Sequence, residues 1–408
     1  MKKILILGAG VYQIPLIKRA KEREFHVIAA SSLQTDVITS FVDEFVKIDT
    51  TDKLNLFKYS QEAGIDAVTT TGTDVAIPSI GFICNNLQLP GISENTAYLA
   101  TNKIAMKNKF KEYNVPTPGF LAIENLDELY SYASIKGFPF VVKAPDSSGS
   151  RGLTIVNNFN ELNGAYHSAM NVSRYGSIIA EENLRGKEYS ASIVVVKNEV
   201  VECFIRNKTV TKPPVKVTLC ASCPATLSPD IQDKIKEVCE LAVKSLNIED
   251  GICESDIIVT DEGVKMIELG ARLGSIGAPE IIKLYYDVDL YDATLDFAMD
   301  KTPIFQKKQL QPAAYHIIPS PKSGLLQYQS FRGDILNNPD IISIDFDYSL
   351  GTQVREFRTG PDRIGNILVT GTSSDEAEKT AAEVLRSIRI QVAPEIPSRD
   401  NRSAACSS

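Results

Sequence analysis

The chain has 408 residues, 43% hydrophobic and 23% charged, which is enough apolar side chain for several cores and too much for a disordered chain. Its 51 acids against 43 bases leave a net charge of −8 with no Lys/Arg block, which argues against nucleic acid or an anionic membrane as a partner. Three scattered histidines (His26, His167 and His316) exclude a multi-histidine metal centre, and seven cysteines, mostly in apolar or strand-like stretches, suit a reducing cytoplasm.

No apolar run approaches the ~18–20 residues of a membrane span. The opening MKKILILGAG resembles a signal peptide only superficially. Its apolar stretch, Ile4–Leu7, runs into a glycine turn and not a cleavage site, so it reads as a buried strand. Up to about residue 95, short β-type runs (KILIL, HVIAA, DAVTTT) alternate with helical stretches (YQIPLIKRAKERE, TDKLNLFKYSQEAG, TDVAIPSIGFICNN). That rhythm predicts a parallel sheet with helices on both faces, an N-terminal α/β domain over 1–95.

Asn95 to Tyr113 reads as one helix, stopped by the two prolines of VPTP. Leu126, Leu129, Tyr130 and Ala133 recur at helical spacing, and Lys136-Gly137 ends that helix. Strands are expected at Phe140–Lys143 and Leu153–Val156 around a Ser/Gly loop, and then at Ser177–Glu181, Glu188–Val196, Val200–Arg206 and Ile252–Leu269. A helix at Pro229–Leu246 precedes the last of these, and from about 303 short strands and turns are closed by the helix SSDEAEKTAAEVLRSI. The fold class is therefore multidomain α/β and α+β, with a two-lobed central domain over 96–302 (its mobile lid about 115–186) and a C-terminal α+β domain over 303–393. The small, polar residues 394–408 are expected to be disordered.

Four segments carry chemistry. Gly8-Ala-Gly10 follows the first strand, but Gln13 stands where a dinucleotide fingerprint has its third glycine. The turn thus allows backbone contact with an anion or small substrate, or is a plain tight turn. Lys143 ends an apolar strand, where a cation is costly unless it meets an anion or a wet cleft. Ser147-Ser148-Gly149-Ser150-Arg151-Gly152 then offers small side chains and amides able to wrap phosphates, although no Walker loop occurs. Glu181 and Glu182 close a buried strand and Glu188 opens the next, which suits a hinge reading an adenine edge and ribose hydroxyls.

The stretch GICESDIIVTDEGVKMIELGARLGS reads as a hairpin around Asp261-Glu262-Gly263. With a three-residue loop, Thr260 pairs with Val264, Ile258 with Met266 and Asp256 with Glu268, while a two-residue turn undoes that register. Two facing carboxylates repel unless something offsets them, and a shared Mg²⁺ would do so. Arg272 lies four residues on and could neutralise a transferring phosphoryl group.

In order and spacing, TNKIAMKNKFKEYNVPTP, FPFVVKAPDSSGSRG, IIAEENLRGKE, the Asp256…Glu268 pair and Glu-x-Gly-Ala-Arg resemble the ATP-grasp superfamily over about residues 1–390. The likeness is to its carboxylate–amine ligases, in the group of L-amino-acid ligases and biotin carboxylase-like members. The resemblance implies ATP and Mg²⁺ (or Mn²⁺) as cofactors and an acyl-phosphate intermediate. It implies Lys103 and Lys143 at the phosphates, Ser147, Ser148, Gly149, Ser150 and Gly152 in a mobile flap, and Glu181, Glu182, Asn183 and Leu184 lining the adenine pocket. Glu188 would bind ribose, Asp256 and Glu268 magnesium, and Arg272 and Lys143 would serve catalysis. Small carboxylate and amine substrates, amino acids foremost, are implied, as is a homodimer in the cytoplasm.

One departure stands out: many members carry Asn two residues after the second acid, and this chain has Gly270. In the register above Glu254 faces Gly270 and could substitute. Two alternatives remain, chemistry on another acceptor (formyl- or carbamoyl-phosphate-type) and a nucleotide-binding module without turnover. Cys220-x-x-Cys223 lacks a second pair for a zinc ribbon and reads as structural, with Pro224–Leu227 in a loop by the substrate.

Overall fold

The computed structural model describes residues 1–33, 36–211, 216–333 and 335–394; the tail expected to be disordered lies almost wholly outside them. The first unit is built on β1 (Lys3–Leu7), β2 (His26–Ala30), β3 (Glu44–Val46) and β4 (Ala67–Thr69), all parallel in the order β3-β2-β1-β4. Apolar runs fill both faces of this sheet: Leu5 and Leu7 pack one way, Ile4 and Ile6 the other. Around it stand α1 (Ile14–Glu22), α2 (Asp36–Thr39), α3 (Lys53–Ala63) and α4 (Ile77–Leu87).

The stretch expected to be one helix is two, α5 (Glu94–Thr101) and α6 (Lys103–Glu112). Asn102 between them is extended, and its side chain accepts hydrogen bonds from the Ile104 and Ala105 amides. It is therefore an N-cap, which restarts the helix and sets Lys103 at its first position.

A small antiparallel sheet follows, of β5 (Phe120–Ile123), β6 (Phe140–Lys143), β7 (Thr154–Val156) and β8 (Ile178–Glu182) in the order β5-β8-β6-β7. Helices α7 (Leu126–Lys136) and α8 (Leu162–Met170) cover one face, burying Phe140, Val142 and Ala180. Lys143 and Glu181 belong to the other face, since Lys143 pairs with Ile179 and Val141 with Glu181.

The largest sheet contains β9 (Lys187–Val196), β10 (Glu199–Val210), β11 (Thr218–Cys223), β12 (Gly251–Thr260) and β13 (Gly263–Gly270), with α9 (Pro229–Ser245) packed beneath. After α10 (Ala278–Tyr286) and α11 (Leu290–Ala298), it continues through β14 (Ala313–Pro319). The remaining elements are β15 (Gly324–Phe331), β16 (Ile341–Phe346), β17 (Gln353–Val354), β18 (Arg363–Thr370), α12 (Ser374–Ser387) and β19 (Ile388–Ala393). The full order is β13-β12-β9-β10-β11-β14-β18-β16, so one eight-stranded sheet runs from the central region into the C-terminal one; β17-β15-β19 form a separate sheet. Among the described residues, no helix is long and apolar enough to cross a membrane.

Candidate active site

The chemistry-bearing residues meet because strand alternation sorts the large sheet into two faces. Tyr189, Ala191, Ile193, Cys253 and Ile257 pack on α9, so the intervening residues form a polar face. Across that face one row runs Glu268–Asp256–Ser190–Arg206, one residue from each of four strands, and beside it runs Gly270–Glu254–Ser192.

The hairpin turn is tighter than expected. Thr260 pairs with Gly263 and Ile258 with Lys265, not Met266, which leaves only Asp261 and Glu262 at the turn. That register would separate the two acids, but a bulge skips Ile267 and returns Asp256 to Glu268. The facing pair is thus present for a different reason from the loop length.

Each acid is neutralised. Lys208 Nζ lies 2.7 Å from Asp256, which also accepts from Ser190 Oγ at 3.1 Å, and Lys103 Nζ lies 3.2 Å from Glu268. Burial pushes the Glu268 carboxyl up, but Lys103, Lys143 and Lys208 outweigh it and hold the group down at about 2. Lys103 also donates to the Ser147 carbonyl at 2.6 Å, which ties the helix start to the flap.

In the small sheet, Lys143 Nζ is 2.9 Å from Glu181 Oε2, and Lys107 Nζ is 3.5 Å from Glu181 Oε1; all three side chains are buried. Burial lowers Lys107 to about 8 against the pull of Glu181. The flap folds on itself: Ser147 Oγ donates to Arg151 O at 2.8 Å, Arg151 Nε donates to Ser148 O, and Ser150 Oγ donates to the Lys216 carbonyl. Gly152 has φ +69°, and a Cβ there would meet Val172 at 2.4 Å, so only glycine fits this flap end.

Glu182 is exposed, with Asn183 and Leu184 half-buried after it, and Glu182 accepts from the Gly119 amide at 3.3 Å. Glu188 is engaged by Lys216 and by Lys208, the latter at 3.7 Å. Glu254, which faces Gly270 in the ladder, has partners of its own. It is bound by Arg206, which is 2% exposed, and by Ser192 Oγ at 2.7 Å, partners that compete with the ligand role expected of it. The space at Gly270 is instead filled from the N-terminal unit: a Cβ there would lie 3.0 Å from Asp74 Oδ1 and 3.5 Å from Arg272.

Arg272 donates to Asp74 Oδ2 at 2.9 Å, and the same nitrogen lies 2.9 Å from Oδ1, so the carboxylate and guanidinium form a close ion pair. Asp74 follows the carboxyl end of β4, where open parallel sheets place ligand-binding loops; that position is the signal that could have found it. The same loop is sewn to the strand after Arg272, with the Gly72 amide donating to Leu273 O at 3.0 Å. From the C-terminal side, Arg363 stacks over Tyr12 at 4.9 Å while bonding Tyr315 Oη at 2.6 Å and Asp347 at 2.8 Å. Lys107, Lys208 and Asp74 were missed in the sequence, because their partners are strands or domains away.

The glycine turn is closed. Gly10 N–H donates to Gln13 Oε1 at 2.9 Å, and Gln13 Nε2 donates to Thr71 O. Cys220 and Cys223 lie in β11, not a loop, and each sits in a different apolar cluster with burial raising its thiol pKa. Among the described residues, no group of three or more His, Cys, Asp or Glu is arranged around a metal position.

Residues 101–278 match the family model described as phosphoribosylglycinamide synthetase, ATP-grasp (A) domain, and residues 316–393 match L-amino acid ligase C-terminal domain 2. A phosphoribosylamine–glycine ligase of Lactococcus lactis is 25% identical over 324 residues, 74% of this chain and 76% of that protein. Phosphoribosylglycinamide synthetase from Anaerococcus prevotii superposes with a TM-score of 0.78 at 27% identity, over 96% of this chain and 100% of that one. L-amino acid ligase from Bacillus licheniformis shares the fold with a TM-score of 0.83 at 20% identity, over 96% and 99% of the two chains. The chain belongs to the ATP-grasp superfamily of carboxylate–amine ligases.

Proposed function

We propose that this enzyme uses ATP and Mg²⁺ to activate a small carboxylate as an acyl phosphate and joins it to an amine, an amino acid being among its substrates. The observation that carries the reading is the single charge network in which Lys103, Lys143 and Lys208 surround Glu268 while Asp256 faces it across the ladder. Three cations about an opposed carboxylate pair are arranged to exchange those carboxylates for phosphate oxygens.

Asp256 and Glu268 fit a magnesium site in their donors: both supply carboxylate oxygens and they stand opposed, Glu268 with its pKa held low by lysines, and Mg²⁺ completes its shell with phosphate and water. When bound, the ion offsets charge on the phosphates. Lys103 and Lys143 hold the phosphates, the 147–152 flap covers them, and Glu181–Leu184 line the adenine pocket. The Glu181 carboxylate is occupied by lysines, so its contribution there is through the backbone. Glu188 takes the ribose by exchanging Lys208 or Lys216 for hydroxyls.

A substrate carboxylate oxygen then attacks the γ-phosphorus as the bond to the bridging oxygen breaks, and ADP leaves with that electron pair. Arg272 steadies the acyl phosphate, the closed flap excludes water, and the amine attacks the acyl carbon, expelling phosphate and losing a proton.

The match to a phosphoribosylglycinamide synthetase domain favours a second reading, a phosphoribosylamine acceptor. A substrate phosphate needs open amides or cations on the N-terminal unit, and there the Gly10 amide is already bonded to Gln13. The Asp74–Arg272 pair, a carboxylate beside a guanidinium, suits a substrate that carries both an ammonium and a carboxylate, as an amino acid does. The L-amino acid ligase match over 316–393 agrees with the amino-acid reading. The test is ADP formation with MgATP and amino acids, singly and in pairs. Turnover by wild type that is abolished by Lys143→Ala and Glu268→Ala supports the proposal, turnover only when phosphoribosylamine is the amine establishes the second reading, and no turnover with any amino acid refutes the amino-acid part.

A further inference from the structure

Lys107 has no place in the chemistry above, yet it is wholly shut from solvent. A buried ammonium persists only when paired and hydrogen-bonded. Lys107 Nζ donates to Thr117 Oγ1 at 2.9 Å, Thr117 donates onward to Met266 O at 2.8 Å, and Glu181 Oε1 is 3.5 Å from the ammonium. The other oxygen of the same carboxylate, Oε2, is 2.9 Å from Lys143 Nζ. Lys107 is one helical turn from Lys103 on α6, so one helix face presents a lysine to Glu268 and a second to Glu181.

The charges in this trio do not cancel. Two lysines share one carboxylate, which leaves a net positive charge in a buried place. Without Lys107, Glu181 and Lys143 would form a neutral pair, and the strand lysine would have little charge left for a phosphate. We propose that Lys107 is a positioning residue: by sharing the Glu181 carboxylate, it keeps Lys143 oriented and only partly neutralised, ready for the nucleotide phosphates. This rests on the reading of Lys143 as a phosphate ligand.

The experiment measures MgATP affinity of the full chain by calorimetry, with melting temperatures alongside, for wild type, Lys143→Ala, Lys107→Met, Lys107→Gln and Glu181→Gln, and for Lys107→Met combined with Glu181→Gln. Loss of the Lys107 charge should weaken binding about tenfold in both single variants despite their different packing. It should weaken binding little further once Glu181 is Gln, because no carboxylate then neutralises Lys143. Equal losses from Lys107→Met in both backgrounds, or losses that follow melting temperature and differ between Met and Gln, overturn the proposal. If Lys143→Ala loses ATP while both Lys107 variants keep it, this proposal alone falls. If wild type and Lys143→Ala bind alike, the nucleotide reading fails and takes the proposal with it.

Discussion

Asp256 and Glu268 stand directly opposite one another, and each has its own lysine: Lys208 at 2.7 Å from the first, Lys103 at 3.2 Å from the second. Opposed carboxylates on neighbouring strands repel, and these two lysines are what offset the repulsion when no cation is present. A divalent ion must therefore compete with lysines until a triphosphate draws them away, so cation and nucleotide should bind with positive coupling. Lys208→Met should tighten nucleotide-free Mn²⁺ binding about tenfold, read by electron paramagnetic resonance. Unchanged affinity would show that Lys208 does not guard the pair.

Glu254 faces Gly270 in the ladder yet is bound by Arg206 and Ser192. Glu254→Gln leaves Arg206 with its charge buried and unpaired, which should cost about 3 kcal/mol in chemical denaturation. The Mg²⁺ concentration for half-maximal ADP formation should stay as in wild type. A raised Mg²⁺ requirement with unaltered stability would return Glu254 to the metal site.

The absence of a side chain at 270 follows from Asp74, whose Oδ1 lies 3.0 Å from where a Cβ would be. Gly270→Asn should push Asp74 away from Arg272 and lower turnover by tenfold or more, an effect of about 1.4 kcal/mol on the barrier. An active Gly270→Asn variant would mean that Asp74 is not held there during catalysis.

Lys107 supplies the pH signature. Burial pulls it down to about 8 from the ordinary lysine value of 10.5, against Glu181 and Glu268, which raise it, while Lys143 adds to the lowering. Between about 8 and 10.5 the unfolded chain holds a proton that the folded chain has released, so this group's contribution to stability rises with pH in that window. Thermal melts of wild type and Lys107→Met should show wild type gaining on the variant from about pH 8 upward. A constant difference would place the Lys107 pKa outside that range.

Much of this was legible because apolar alternation speaks locally. The strand ending in Lys143 falls at Phe140–Lys143 as read, and the helix stop at Gly137 holds because that residue takes φ +71°. The Asp256–Glu268 pairing was reached through the wrong turn length: a two-residue turn and a bulge at Ile267 cancel, and no residue type announces a bulge at an isoleucine. The break at Asn102 was readable as a cap but was masked by helix-forming residues on both sides. Partners such as Lys208 for Asp256 and Asp74 for Arg272 depend on strand order and on how the units dock, which periodicity does not encode.

The most direct measurement is Mn²⁺ affinity in the presence of a non-hydrolysable ATP analogue, for wild type, Asp256→Asn and Glu268→Gln. The account predicts one or more bound ions in wild type and at least about tenfold weaker binding in each variant, with the fold intact by circular dichroism. Equal Mn²⁺ binding by all three proteins would contradict it.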